Sequence, residues 1–186
     1  NVGDREPIGA EMYATAYAMC AALKSDPVAA PHIAAGVSEH RIDWIDEQTG
    51  IECRGRVDKL NGCLSDVKST RSIIGFERDC ARLGYAGQIA WYADGLQAAG
   101  IKTDGAPCLI AVESVPPYDV QVLTFDPDDL AIGRRVYRRC LDRLAECRRT
   151  GTWPGVSNGV ARRIQLPPWA GPIEDELTIG GEPLKV

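Results

Sequence analysis

The sequence lacks any apolar run long enough to span a bilayer, so no membrane is expected among its partners. Its first residues, Asn1-Val2-Gly3-Asp4-Arg5-Glu6, carry neither the basic nor the apolar region of a secretion signal. The start at a residue other than methionine suggests a trimmed or partial chain. Also missing is any C-x-x-C spacing. The seven cysteines stand at 20, 53, 63, 80, 108, 140 and 147, which indicates neither a zinc site nor a disulfide framework. A reducing cytoplasm is the expected compartment. A whole-chain basic excess, the usual footprint of nucleic-acid binding, is absent too, because the net charge is -5. No internal repeat is visible.

What is present is an ordinary globular composition. With 186 residues, 45% of them hydrophobic, the chain can bury a proper core, and residues 1–173 read as one domain followed by an acidic tail, 174–186. Charge is unevenly spread. From Asp126 to Arg163 nine arginines face five acids, whereas Glu174 to Glu182 is acidic. Such a split can steer DNA to one side, and it also describes a solvated helix face.

Periodicity gives an element order. Ala10 to Ser25 is rich in helix formers, with Met12, Ala16, Met19 and Leu23 at helical spacing, and predicts a core-packing helix. A short helix is expected between Pro27 and Pro31. Ser38 to Ile45 and Ile51 to Asp58 alternate as strands, with a third strand after Asn61-Gly62, giving a meander with one polar and one apolar face. Ile73 to Ala99 reads as helix, interrupted at Gly84 and ended by Gly100. Pro107–Val112 and Val120–Phe125 are short strands, and Asp126 to Arg149 is a long Arg-rich helix.

The stretch that carries chemistry is Gly55 to Lys68. Asp66 and Lys68 are two residues apart in a strand and so share a face. Cutting a phosphodiester needs a cation to neutralise the phosphate and lower the pKa of an attacking water, and hard divalent ions take oxygen ligands. Asp58 and Asp66 can supply these, and Lys68 can orient the water or stabilise charge in the transition state. Alone, the same residues also describe a surface ion pair on a sheet.

Register decides whether the two acids can meet. A two-residue Asn61-Gly62 loop would put Asp58 and Asp66 on opposite faces. A three-residue loop of Leu60, Asn61 and Gly62 pairs Asp58 with Leu64 and Arg56 with Asp66, and gathers both acids and Lys68 on one face. Likewise a four-residue loop from Glu47 to Gly50 sets Glu39 opposite Asp58, and a five-residue loop turns it away.

Four short motifs occur in order. Gly36-Val37-Ser38-Glu39, Gly55-Arg56-Val57-Asp58, Asp66-Val67-Lys68 and Gln88-Ile89-Ala90-Trp91-Tyr92 match G-x-x-E, G-x-x-D, D-x-K and Q-x-x-x-Y. Together they resemble the PD-(D/E)XK nuclease superfamily, and from Gly36 to Trp169 the chain resembles the RecE-type nuclease domain of exodeoxyribonuclease VIII. Ser69-Thr70-Arg71, Gly84-Tyr85, Val112-Glu113, Pro117-Tyr118 and Trp153-Pro154-Gly155 add to the likeness. The resemblance implies an α/β (α+β) restriction-endonuclease-like core, a central mixed sheet flanked by helices. It also implies a magnesium-dependent exonuclease, manganese substituting, that digests linear double-stranded DNA from its 5′ end in phage-type recombination. Its partners would be DNA ends, a RecT-like single-strand annealing protein and copies of itself in a homo-oligomer.

Carried onto these positions, Asp58, Asp66, the Val67 carbonyl and Glu39 would hold the metal, and Lys68 would be the catalytic lysine. Gln88 would place the scissile strand or the attacking water, with Tyr85 and Tyr92 supporting it, and Arg54 and Arg56 would reach phosphates. His40 is expected to pack, and Glu113 to be either a supporting group or a surface acid. Related exonucleases carry a metal-site histidine upstream of G-x-x-E; only 35 residues precede Gly36 here, and His32, beside Pro31, fits that role poorly. The competing readings are a repair endonuclease, a helicase-associated nuclease module, or an inactive DNA-binding domain.

Overall fold

A computed structural model describes residues 7–167, 170, 178–179 and 182–183. They fall into two compact units, Asn1–Thr150 and Gly151–Val186. This boundary lies ahead of the one at 173/174 read from charge, and most of the acidic tail lies outside the described residues. The second unit contributes a two-stranded pairing of Thr178–Ile179 with Glu182–Pro183. All four motifs lie in the first unit. Among the described residues no helix is long and apolar enough to cross a membrane.

The first unit opens with helices α1 (Ala10–Ser25) and α2 (Ala30–Ala34), followed by strands β1 (Val37–Ile45), β2 (Glu52–Asn61) and β3 (Cys63–Thr70). Helices α3 (Phe76–Leu83) and α4 (Tyr85–Ala98) lead to β4 (Cys108–Glu113), β5 (Val120–Thr124) and α5 (Pro127–Thr150). The strands form one sheet in the order β1-β2-β3-β4-β5, antiparallel except for the parallel β3–β4 pair. This is the mixed α+β core expected, and the helical stretch breaks as foreseen at Gly84, whose φ of +71° suits glycine.

Helix α1 departs from expectation. Only Leu23 is buried, with Met19 half-buried against the same cluster, and Met12, Tyr13 and Tyr17 are exposed, so the C-terminal part of the helix packs on the sheet and the N-terminal part does not. The two-faced meander also needs correction at β3. A parallel β3–β4 pair requires a crossover, here α3 and α4, that covers one face, while α1 and α2 cover the other. Leu64, Ser65 and Asp66 are consequently all buried, and the Asp66 carboxylate lies beneath a helix and not on an open polar face.

Ile42, Val57, Leu64, Leu109 and Ala111 pack beneath α4 through Ile89 and Leu96. Two glycines permit close approach. A Cβ on Gly133 of α5 would lie 2.2 Å from the Ala86 carbonyl oxygen of α4, and one on Gly55 would lie 3.0 Å from the Tyr92 ring. Arg138 of α5 pairs with Asp46 at the β1–β2 turn, and Arg134 pairs with Asp94 of α4 at 2.7 Å. Trp44, Trp91 and Tyr137 pack between these ties, tilted and edge-to-face, with centroids 4.7 and 5.3 Å apart. The helix that carries Gln88 is thus clamped from the side away from the sheet.

Candidate active site

The β2–β3 turn is tighter than expected. Asn61 pairs with Cys63 around a single Gly62 at φ +65°, and Leu60 pairs with Leu64 and Lys59 with Ser65. The expected pairing of Asp58 with Leu64 does not occur. The slip is by two positions, and an even slip leaves side chains on the face they had. Continued, this register would set Asp58 opposite Asp66, but the ladder stops at Lys59–Ser65. Where the strands part, Asp58 Oδ2 accepts the Val67 N–H at 2.9 Å.

Strand alternation changes phase at the same place. Val57 belongs to the core beneath α4, and so does Leu60, three residues on, which strict alternation forbids. Across on β1, Glu39 takes φ +53°, and the Glu39–Asp58 pair is missing from an otherwise continuous ladder. This bulge-like break frees Asp58 from the outward face of Arg54 and Arg56. The β1–β2 register is the one in which Glu39 lines up with Asp58, yet its carboxylate turns to Arg56 at 3.0 Å and is 61% exposed. Among the described residues no third carboxylate lies at ligand distance from Asp58 and Asp66.

Asp66 is the centre of the site, 1% exposed. Lys68 Nζ lies 2.6 Å from its Oδ2, and Gln88 Nε2 donates to its Oδ1 at 3.3 Å. Oδ2 is buried, and the Lys68 ammonium is the group that meets it, as a close ion pair. Burial above all, and the nearby negative charge of Asp58, raise the Asp66 carboxyl above the ordinary carboxylate range, against the pull of Lys68. Lys68 offsets only part of the burial cost and of the negative charge of Asp58, and a further cation between the two carboxylates would offset the rest.

The supporting residues come from α4. Gln88 Nε2 also reaches Tyr92 Oη at 3.1 Å, one helical turn along, and the Tyr92 ring lies over Gly55. Lys68 lies over the Tyr85 ring, 4.9 Å from its centroid, and Phe76 packs beside that ring. Asp66, Lys68, Gln88, Tyr92 and Tyr85 are therefore one connected group, with Asp58 and Val67 at its edge.

Other expected residues lie elsewhere. Arg54 pairs with Asp43 at 2.6 Å and Arg56 with Glu39, all on the outward face of the β1–β2 hairpin. His40 is half-buried opposite Val57. His32 contacts Ser65 and Cys108 on the other side of the sheet from Gln88, so it does not join the carboxylates. Glu113 is a supporting group: buried at 8% exposure, it accepts the Ile73 N–H at 3.0 Å and fixes the loop after Lys68. Nothing in its sequence position separates it from a surface acid.

A hard divalent cation fits this site, because the donor set is all oxygen and two carboxylates close to one another share a single ammonium. Strand, crossover and oxygen-lined carboxylate pair with lysine define a nuclease-like hydrolase. The sequence matches the family described as PDDEXK-like domain of unknown function (DUF3799) over residues 3–163, and the chain belongs to that family. In structure it is similar to a crystallised protein of Eubacterium rectale named "Putative exonuclease", with a TM-score of 0.63 at 16% identity. The match covers 83% of this chain and 62% of that one, so this chain spans less than two thirds of its length. No curated protein matches the sequence.

Proposed function

We propose that the domain is a divalent-metal-dependent deoxyribonuclease, an exonuclease that hydrolyses linear double-stranded DNA from the 5′ end, as in recombination by strand annealing. The observation that supports this most is the buried Asp66 carboxylate, held between Lys68 and Gln88 with the charge of Asp58 nearby. Magnesium, or manganese in its place, would neutralise the phosphate and lower the pKa of the attacking water. Asp58, Asp66 and the Val67 carbonyl would hold the ion, Asp58 being anchored for this by the Val67 N–H.

The chain's own residues do the rest. Lys68, steered by the Tyr85 ring, presents its ammonium to the developing charge on the phosphate. Gln88 ties the orientation of Asp66 to α4 through Tyr92, so the carboxylate cannot swing away. Exposed arginines of α5, such as Arg135, Arg139 and Arg143, are available to phosphates, whereas Arg54 and Arg56 would first have to leave their acid partners. The exonuclease reading and its 5′ polarity rest on the RecE-type resemblance, on which the annealing partner and homo-oligomer also rest. The name of the Eubacterium rectale protein agrees with an exonuclease.

Linear duplex labelled separately at its 5′ and 3′ termini, and a closed circle of the same sequence, test this. The expected result is early release of the 5′ label with magnesium and an intact circle. Early release of the 3′ label overturns the polarity, and nicking of the circle makes the domain an endonuclease.

A further inference from the structure

We infer that His32, Cys63 and Cys108 form a second metal site, for a borderline-soft divalent ion such as zinc, on the sheet face opposite the carboxylates. The three residues are far apart in sequence, on α2, at the start of β3 and at the start of β4. Their ligand atoms, Nδ1 and two Sγ, all lie within 4.8 Å of one another. His32 Nδ1 and Cys108 Sγ are 3.7 Å apart. A tetrahedral zinc with Zn–S near 2.3 Å and Zn–N near 2.0–2.1 Å requires about 3.6 Å between such atoms. The cysteines are free thiols, so both sulfurs are available.

The surroundings favour a neutral group. Leu23, Ala29, Ile110 and Val112 form the apolar cluster around Cys108, with Cys63 packed against it. Two thiolates and one doubly charged cation sum to zero, so the ion brings no net charge into that face, and the two thiol protons go to solvent. Magnesium is excluded by the sulfur ligands, for which it has little affinity. Ser65 completes the set: its Oγ lies 3.2 Å from His32 Nδ1 and 3.3 Å from Cys108 Sγ. It can take the fourth position or hydrogen-bond the Cys108 thiolate beside a bound water. Cys63 Sγ, 3.0 Å from the Ala106 carbonyl oxygen, would give up that contact on losing its proton. His32 is already held in place, because Asn61 Nδ2 donates to the neighbouring Pro31 carbonyl at 2.9 Å.

Such an ion would tie α2 to the two central strands. Ser65 precedes Asp66 in β3, so the tie would also fix the strand that carries the buried carboxylate.

The test uses the whole chain and two metals. Cobalt(II) added to the metal-free protein is expected to give a thiolate-to-cobalt charge-transfer absorption with one ion per chain. The absorption should disappear in Cys63→Ser and survive in Asp66→Asn, which separates this site from the carboxylates. In the unaltered protein, zinc and not magnesium should slow alkylation of Cys63, located by peptide mass spectrometry. That measurement needs no variant to fold. Absence of the absorption, its persistence in Cys63→Ser, or alkylation of Cys63 at an unchanged rate with zinc would overturn the proposal and leave the cluster a set of ordinary hydrogen bonds.

Discussion

Replacing Asp66 by asparagine should remove metal binding while the metal-free fold is retained. The shape is kept and asparagine Oδ1 can still accept from Gln88, while Lys68, which then meets an amide NH2 in place of Oδ2, has to turn toward solvent. Burial is the largest influence on the carboxyl and outweighs the attraction of Lys68, so the charge is held at a net cost in the folded state. The sign follows from linkage. A carboxyl raised on folding contributes stability that is fully present below its unfolded value, near 4, and is lost as pH rises through the folded one. The metal-free wild type should therefore lose stability from about pH 4 upward, and Asp66→Asn should lack that component.

Magnesium acts on the wild type alone. At a hundred times its dissociation constant, a ligand bound only by the folded state adds about 2.7 kcal/mol, worth roughly 5–10 °C in a chain of this size. Thermal melts in chelator and in magnesium at several pH values read both effects. Wild type should gain several degrees with magnesium and the variant none. An equal magnesium shift in both proteins, or a variant that melts far below wild type in chelator, would refute the assignment of Asp66 as a buried ligand.

Gly133→Ala should lower stability by about 3 kcal/mol, because its Cβ would press on the Ala86 carbonyl at 2.2 Å and separate α4 from α5; a melt checks this. Gly55→Ala should push on the Tyr92 ring and lower turnover while the magnesium-induced melting shift is retained. DNA affinity should fall steeply with salt as exposed α5 arginines give up phosphate contacts, and combined Arg135→Ala and Arg139→Ala should flatten the slope of log affinity against log salt by about two.

Element types were legible because periodicity and glycine placement are local properties. Asp66 and Lys68 are legible as a group for the same reason, because they share strand parity, whereas Gln88 joins them only through the RecE-type resemblance. What escaped was set by neighbours in space. The burial of Asp66 depends on β3 pairing parallel with β4, which no property of Cys63–Thr70 announces. The placement of Asp58 depends on a break opposite Glu39, whose positive φ is unusual for a glutamate. Glu39 has the right register and the wrong direction, since the bulge turns its carboxylate toward Arg56. The exposure of Met12, Tyr13 and Tyr17 likewise follows from where α1 leaves the sheet, not from its helical spacing.

Release of acid-soluble nucleotides from linear duplex DNA tests most directly whether Asp58, Asp66 and Lys68 act as one metal-dependent phosphodiester-cutting centre. Activity should appear with magnesium and vanish with chelator. In Lys68→Ala it should fall by roughly a hundredfold or more while the magnesium-induced melting shift persists, because a transition-state donor is lost and the ligands are not. Degradation that survives chelator, or Lys68→Ala turning over at the wild-type rate, would contradict the account.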